Sequence, residues 1–192
     1  MCITKVRGMV RQAMEESEAI TKCQKGEPEA FGFLVKKYKK RAYFTALALV
    51  GSHDDALDLS QEAFVRAYRS IGTFDTRHRF FTWLYRILRN LCLNHLRNNR
   101  RRAEILQEAG NSVIGKDPEN PSLLLEKDEV KEAVWSAVSV LEPHEREIII
   151  LRDFQELSYK EIADALDCPV GTVMSRLFHA RKALKDKLEK HL

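Results

Sequence analysis

The sequence predicts an all-α protein, two small helical domains joined by a flexible linker, the C-terminal one a four-helix domain with a helix-turn-helix. Three observations carry this. Apolar residues recur at steps of three and four along most of the chain, the period of a helix with one buried face. No convincing strand pattern competes, because β-branched residues are sparse and apolar runs such as Ile148 to Leu151 sit inside longer helical patterns. One break interrupts the helices, where Glu108 to Ser112 and Gly115 to Pro121 collect Gly, Asn, Ser, Asp and Pro, residues that favour turns and open chain. A chain of 192 residues, 44% hydrophobic and 31% charged, has room for one or two small cores. The break favours two, with domains over 18–101 and 122–192 and a linker over 102–121.

In chain order, Gly26-Glu27-Pro28 marks the entry to a long helix with apolar positions Phe31, Leu34, Val35, Tyr38, Ala42, Leu47 and Val50, closed by Gly51. A second helix, from about Asp54 to Ser70, is expected to bury Ala56, Leu57, Ala63, Phe64, Ala67 and Tyr68. Its outward face carries Asp58, Gln61, Glu62 and Val65 at i, i+3, i+4 and i+7. An acidic patch with an apolar member repels DNA; it is either plain solvent-exposed surface or a dock for a protein with a basic helical face.

Ile71 to Arg79 reads as a loop from its Gly, Asp and Thr content, and leads into an aromatic-rich helix from Phe80 to about Asn99. Leu84, Leu88, Leu91 and His95 fall on one side of that helix, and Phe80, Phe81 and Tyr85 are expected in the core. Trp83, Arg86, Asn90, Asn94 and Arg97 form a second stripe at spacings of three, four, four and three. A helix serving only a core has no need of it. An indole stacks on an unpaired base, a contact worth about 1 to 3 kcal/mol, and asparagine amides read base edges. From Thr76 to Ala103 there are eight arginines and no Asp or Glu, a local cationic field suited to a polyanion.

Beyond the linker, a helix from Ser122 spaces Leu125, Val130, Val134, Val138 and Leu141 for burial, and another from near Pro143 carries Ile148, Ile149 and Leu151. Ser158 with Glu161 forms an S-x-x-E capping box for a short helix, and Pro169 opens the last one. There Val173, Leu177, Ala180, Leu184 and Leu188 make the buried stripe. Thr172, Ser175, Arg176, His179 and Lys182 line the other face, short polar and basic groups that suit a major groove.

No run approaches the 18 apolar residues of a membrane span, and Met1 to Ile20 lacks the apolar core of a signal peptide. A cytoplasmic protein is expected, with no membrane insertion. Cys2, Cys23, Cys92 and Cys168 show no ligand spacing and read as reduced thiols. A Gly-rich phosphate loop, H-E-x-x-H, G-x-S-x-G and metal-holding carboxylate clusters are missing. No enzyme, metal or cofactor is therefore expected, and His53 and His144 read as capping or surface residues.

Asp58-Leu59-Ser60-Gln61-Glu62-Ala63-Phe64, then Phe81-Thr82-Trp83-Leu84-Tyr85-Arg86-Ile87 with Asn90, then Pro169-Val170-Gly171-Thr172-Val173 with Ser175-Arg176 and Ala180-Arg181, resemble the extracytoplasmic-function group of bacterial sigma factors. The resemblance runs from about Glu18 to Leu188. It implies that Asp58, Gln61 and Glu62 dock on the β′ clamp helices of core RNA polymerase, with the β subunit a further contact. It also implies that the Ile71 to Phe80 loop, with Trp83 and Asn90, captures a flipped non-template base of the minus-ten element, and Arg86, Asn94 and Arg97 continue that surface. Thr172, Ser175, Arg176, Phe178 and His179 would then read the minus-thirty-five duplex. Met174 and His179 stand where relatives often carry a basic residue. An anti-sigma protein gripping both domains is the implied regulator, and stress or envelope-response genes the implied targets. A stand-alone helix-turn-helix regulator, which would need a ligand pocket and a dimer interface, is the alternative.

Overall fold

The computed structural model describes residues 16–108 and 129–189, and every regular element among them is helical. Helix α1 covers 16–24. It lays Ala19, Ile20 and Cys23 onto the core. Helix α2 (Glu29–Val50) ends as its sequence foretells, with Gly51 at φ 75° and its N–H donating to Leu47 O at 2.8 Å. That left-handed cap is the conformation a glycine adopts at least cost. Helix α3 (His53–Ser70) starts on Ser52, whose hydroxyl oxygen accepts from the Asp55 N–H at 3.4 Å. A single 3-10 turn, Ile71–Thr73, follows before the loop into α4 (Phe80–Glu108).

Helix α4 is the axis of the molecule. Phe80, Leu84, Tyr85 and Leu88 are 0% exposed, and burying each such side chain stabilises by roughly 1.5 to 3 kcal/mol before entropy is counted. Around its first turns lies an aromatic cluster. Phe80 meets Phe31 at 6.4 Å, Tyr38 at 5.5 Å, Phe74 at 5.8 Å and Trp83 at 5.7 Å between ring centres. The helix runs to Glu108, past the expected end near Asn99. The arginines at its end are good helix formers, and Arg100 pairs with Glu104 one turn on at 2.9 Å. Residues 102–108, expected as the start of the linker, are thus helical. The rest of that segment and the expected helix start at Ser122 with Leu125 lie outside the described residues.

The C-terminal half comprises α5 (Glu129–Ser139), α6 (Pro143–Ile149), a five-residue π turn (Ile150–Phe154), α7 (Tyr159–Leu166) and α8 (Val170–Leu188). Val138, Leu141, Ile148, Ile149 and Leu151 are buried as expected, while Val134 is half-buried. Ser158 and Glu161 form the reciprocal capping box, at 2.8 Å from the Ser158 N–H to the Glu161 carboxylate and 3.3 Å from the Glu161 N–H to the Ser158 oxygen. Asp167 closes α7 in the left-handed region at φ 52°. Pro169 caps α8 from outside in extended conformation, one position earlier than a first-turn proline.

Two burial expectations are corrected. Leu57 is 42% and Tyr68 44% exposed. The buried stripe of α3 is Ala56, Ser60, Ala63, Phe64 and Ala67, and both residues lie at its edge, about 60 to 100° round the helix from its centre. Tyr68 covers the rim of the aromatic cluster, 5.2 Å from Phe31. The two expected helical halves are both present, and their cores meet. Buried residues of α2 and α4 and those of α6, α7 and α8 form one continuous cluster, so the two halves are seated on one another.

Candidate nucleic-acid interface

Side chains Arg86, Asn90, Asn94 and Arg97 are exposed along one face of α4, and Trp83 is half-buried at its head. The geometry of Trp83 is informative. Its ring is tilted against Phe74 at 5.0 Å and against Phe80 at 5.7 Å, which fixes one side of the indole and leaves part of it open. A ring held by neighbours in this way loses little further freedom on stacking. Beside it, the loop is braced from two directions. Gln24 of α1 donates from Nε2 to Ile71 O at 3.1 Å and to Phe74 O at 2.8 Å. Arg77 closes on Asp75 with Nε–Oδ2 at 2.8 Å, and the Arg77 guanidinium hydrogen bond is the main cause that draws the exposed Asp75 carboxyl down to about 2.

On α3, Asp58, Gln61 and Val65 are exposed and Glu62 is half-buried, its carboxylate paired with Arg66 at 2.7 Å. Leu57 joins them as an exposed apolar side chain. Between α2 and α3 runs an open groove of about 320 Å³ whose wall includes Lys39, Lys40, Tyr43, Gln61 and Phe64. The acidic patch is therefore bordered by an apolar cleft, a feature that the periodicity of α3 alone does not show.

On α8, Val173, Leu177 and Ala180 are buried to 2% exposure or less, which turns Ser175, Arg176, Phe178 and His179 outward and leaves Thr172 half-exposed. Phe178 lies edge-on to His179 at 5.5 Å. Arg181, on the same helix, is held by Asp153 at 2.5 Å.

The contacts between the halves fall on α4 and α2. Glu147 of α6 accepts from the Tyr85 hydroxyl and from Arg89 Nε, both at 2.5 Å. Burial first, and Glu147 second, push the Tyr85 phenol well above its ordinary range. Arg79 pairs with Glu161 at 2.6 Å, and Arg86 of the exposed stripe donates from Nε to Asp164 O at 3.0 Å. Arg41 lies over the Phe81 ring at 4.0 Å and donates to the Gln155 side chain at 2.6 Å and its carbonyl at 2.8 Å. Three arginines of the cationic segment thus meet oxygen atoms of the helix-turn-helix half. Sequence reasoning missed Arg41, Glu147 and Gln155. A glutamine beside an apolar run was the one available signal.

Among the described residues no His, Cys, Asp or Glu group could hold a metal ion, and no helix is long and apolar enough to cross a membrane. Residues 34–102 match the family model of sigma-70 region 2, and residues 131–184 that of sigma-70 region 4. The chain is similar to the RNA polymerase sigma-H factor of Pseudomonas aeruginosa, 36% identical over 182 residues that cover 91% of this chain and 94% of the relative. It is also similar to the ECF RNA polymerase sigma-E factor of Escherichia coli K12, 36% identical over 185 residues, 93% and 96% of the two chains. Among solved structures, the sigma factor RpoE in complex with the anti-sigma factor NepR from Bartonella quintana aligns with a TM-score of 0.67 and 26% identity, over 83% of this chain and 96% of that one.

Proposed function

The chain belongs to the sigma-70 family, in its extracytoplasmic-function group of sigma factors, and on that premise we propose how its two halves share the work of starting transcription. The protein directs core RNA polymerase to promoters and initiates transcription there. In the proposed division, 18–101 serves as region 2, 102–121 as linker and 122–192 as region 4. Asp58, Gln61 and Glu62 dock on the β′ clamp helices, with the apolar cleft beside them receiving side chains of that surface, and the β subunit adds contacts elsewhere. Trp83, Arg86, Asn90, Asn94 and Arg97 hold the opened minus-ten strand.

The observation that carries this reading is the braced loop beside a half-open indole at the head of the α4 stripe. Extruding a base costs a few kcal/mol, and a pocket that stacks and hydrogen-bonds it offsets the cost, so duplex opening is coupled to sequence reading without ATP. Thr172, Ser175, Arg176, Phe178 and His179 read the minus-thirty-five duplex. The chemistry stays with the polymerase, and this chain is not itself an enzyme. It works in the cytoplasm, on stress or envelope-response genes, restrained by an anti-sigma protein that grips both halves. The alternative of a stand-alone regulator leaves the α4 stripe with nothing to bind.

Run-off transcription with core polymerase and the full chain tests the proposal. Specific starts with permanganate-reactive thymines near minus ten are expected; transcripts no different from those of core polymerase alone would refute it.

A further inference from the structure

Val170, Met174 and Phe178 follow one another at steps of four on α8 and are 41%, 54% and 68% exposed. Residues four apart are neighbours on a helix surface, so the three make a continuous apolar ridge along one flank of a helix whose Val173, Leu177 and Ala180 stripe, about 90° round the axis, already fills the core. A contiguous apolar surface of this kind marks something that covers it. Of the three, only Phe178 has a role in the reading above.

A second observation concerns Gly171, on the outward face beside them. A Cβ there would meet nothing within 4 Å, and its φ is not in the left-handed region. The fold does not require a glycine at this position, and alanine would suit the helix better. Its smallness serves whatever lies against the helix. The surroundings say what that is: from Val170 to Lys185 the helix carries Arg176, Arg181, Lys182 and Lys185 and no acidic residue, and with Arg181 paired to Asp153 the other three supply the positive charge. An apolar ridge in a cationic frame fits a major groove, whose walls are phosphate and whose apolar elements are the 5-methyl groups of thymine.

We infer that Val170, Met174 and Phe178 select the upstream element by its thymine methyl groups, with Gly171 allowing the first turn of α8 to lie close to the base edges. This rests on the assignment of α8 to the minus-thirty-five duplex. It also accounts for Met174, since the thioether covers a methyl where a basic side chain would seek guanine or phosphate.

The test uses the full chain with core polymerase and a duplex library randomised upstream of a fixed minus-ten sequence. Selected duplexes are remade with deoxyuridine for thymidine in the upstream element, which removes the methyl groups and keeps every hydrogen-bonding atom. Adjacent thymines are expected in the selected sequences, and deoxyuridine should weaken binding about fourfold per contacted methyl. The double variant Met174→Ser, Phe178→Ser should bind both duplexes alike, while Arg176→Ala weakens both by the same factor. Gly171→Ala should retain or raise the melting temperature and lose affinity. Equal binding of both duplexes by the wild type, or an unchanged ratio in the double variant, overturns the inference and leaves the α8 assignment standing. Absence of any upstream enrichment overturns both.

Discussion

In the proposed function the sharpest demand falls on Trp83. Its indole is wedged against Phe74 and Phe80, so truncation removes both a stacking surface and a support of the loop. Trp83→Ala or Asn90→Ala should impair promoter melting while leaving assembly with core polymerase intact, read by permanganate footprinting beside a pull-down. Undiminished melting by both variants would remove them from the minus-ten site. Asp75 is a second residue-scale case. Its carboxyl is lowered to about 2, first by the Arg77 hydrogen bond. A depressed folded-state value means that the contact is complete above the ordinary carboxylate range and is lost as pH falls through about 2. A carbon-detected NMR titration should place the Asp75 midpoint near 2, and Arg77→Ala should return it towards the ordinary range.

Among the elements, α7 depends on its first turn. It is only eight residues long, and isolated helices of that length are marginal, so the Ser158–Glu161 box and its seat on α4 and α8 hold it together. Ser158→Ala should cost about 1 kcal/mol, seen in urea unfolding, and should weaken duplex binding because α7 positions α8. Stability unchanged within error would show that the box adds nothing. Helix α4 presents the opposite case. Its length lets one buried face hold the aromatic cluster while the other presents the stripe, and its end continues beyond the domain boundary that composition indicated.

At the scale of the whole molecule, the described arrangement is closed. On the proposed assignment the two elements, named for positions minus ten and minus thirty-five, lie about 25 base pairs apart, which at about 3.4 Å each is about 85 Å of duplex. A compact body of the described residues has a radius of gyration of about 15 Å and spans about 40 Å, so the proposed grip on both elements requires the halves to part. Glu147 is the contact to break. It satisfies Tyr85 and Arg89 together, and removing it strands a buried hydroxyl and a half-buried guanidinium, a loss of about 1 to 3 kcal/mol for each buried group left unpaired. Glu147→Ala should increase the radius of gyration in small-angle scattering. It should also speed alkylation of Cys92, which is 0% exposed, held near 12 chiefly by burial, and placed one turn beyond Arg89. Identical scattering and labelling would show that Glu147 does not hold the halves together.

Sequence by itself determined the helices, the left-handed Gly51 stop, the Ser158 capping box and the polar stripes of α4 and α8. Each of these is local, fixed by helical periodicity or by a hydrogen bond within one turn, and so is written in residues a few positions apart. Tertiary structure decided what periodicity cannot encode. Leu57 and Tyr68 are apolar enough for a core and stand at its edge, because the angular width of a buried stripe is set by the helices that pack against it. The pairing of Arg79, Arg86 and Arg89 with the helix-turn-helix half is invisible in sequence for the same reason. It joins residues 58 to 82 positions apart, whose meeting depends on how two helical surfaces fit.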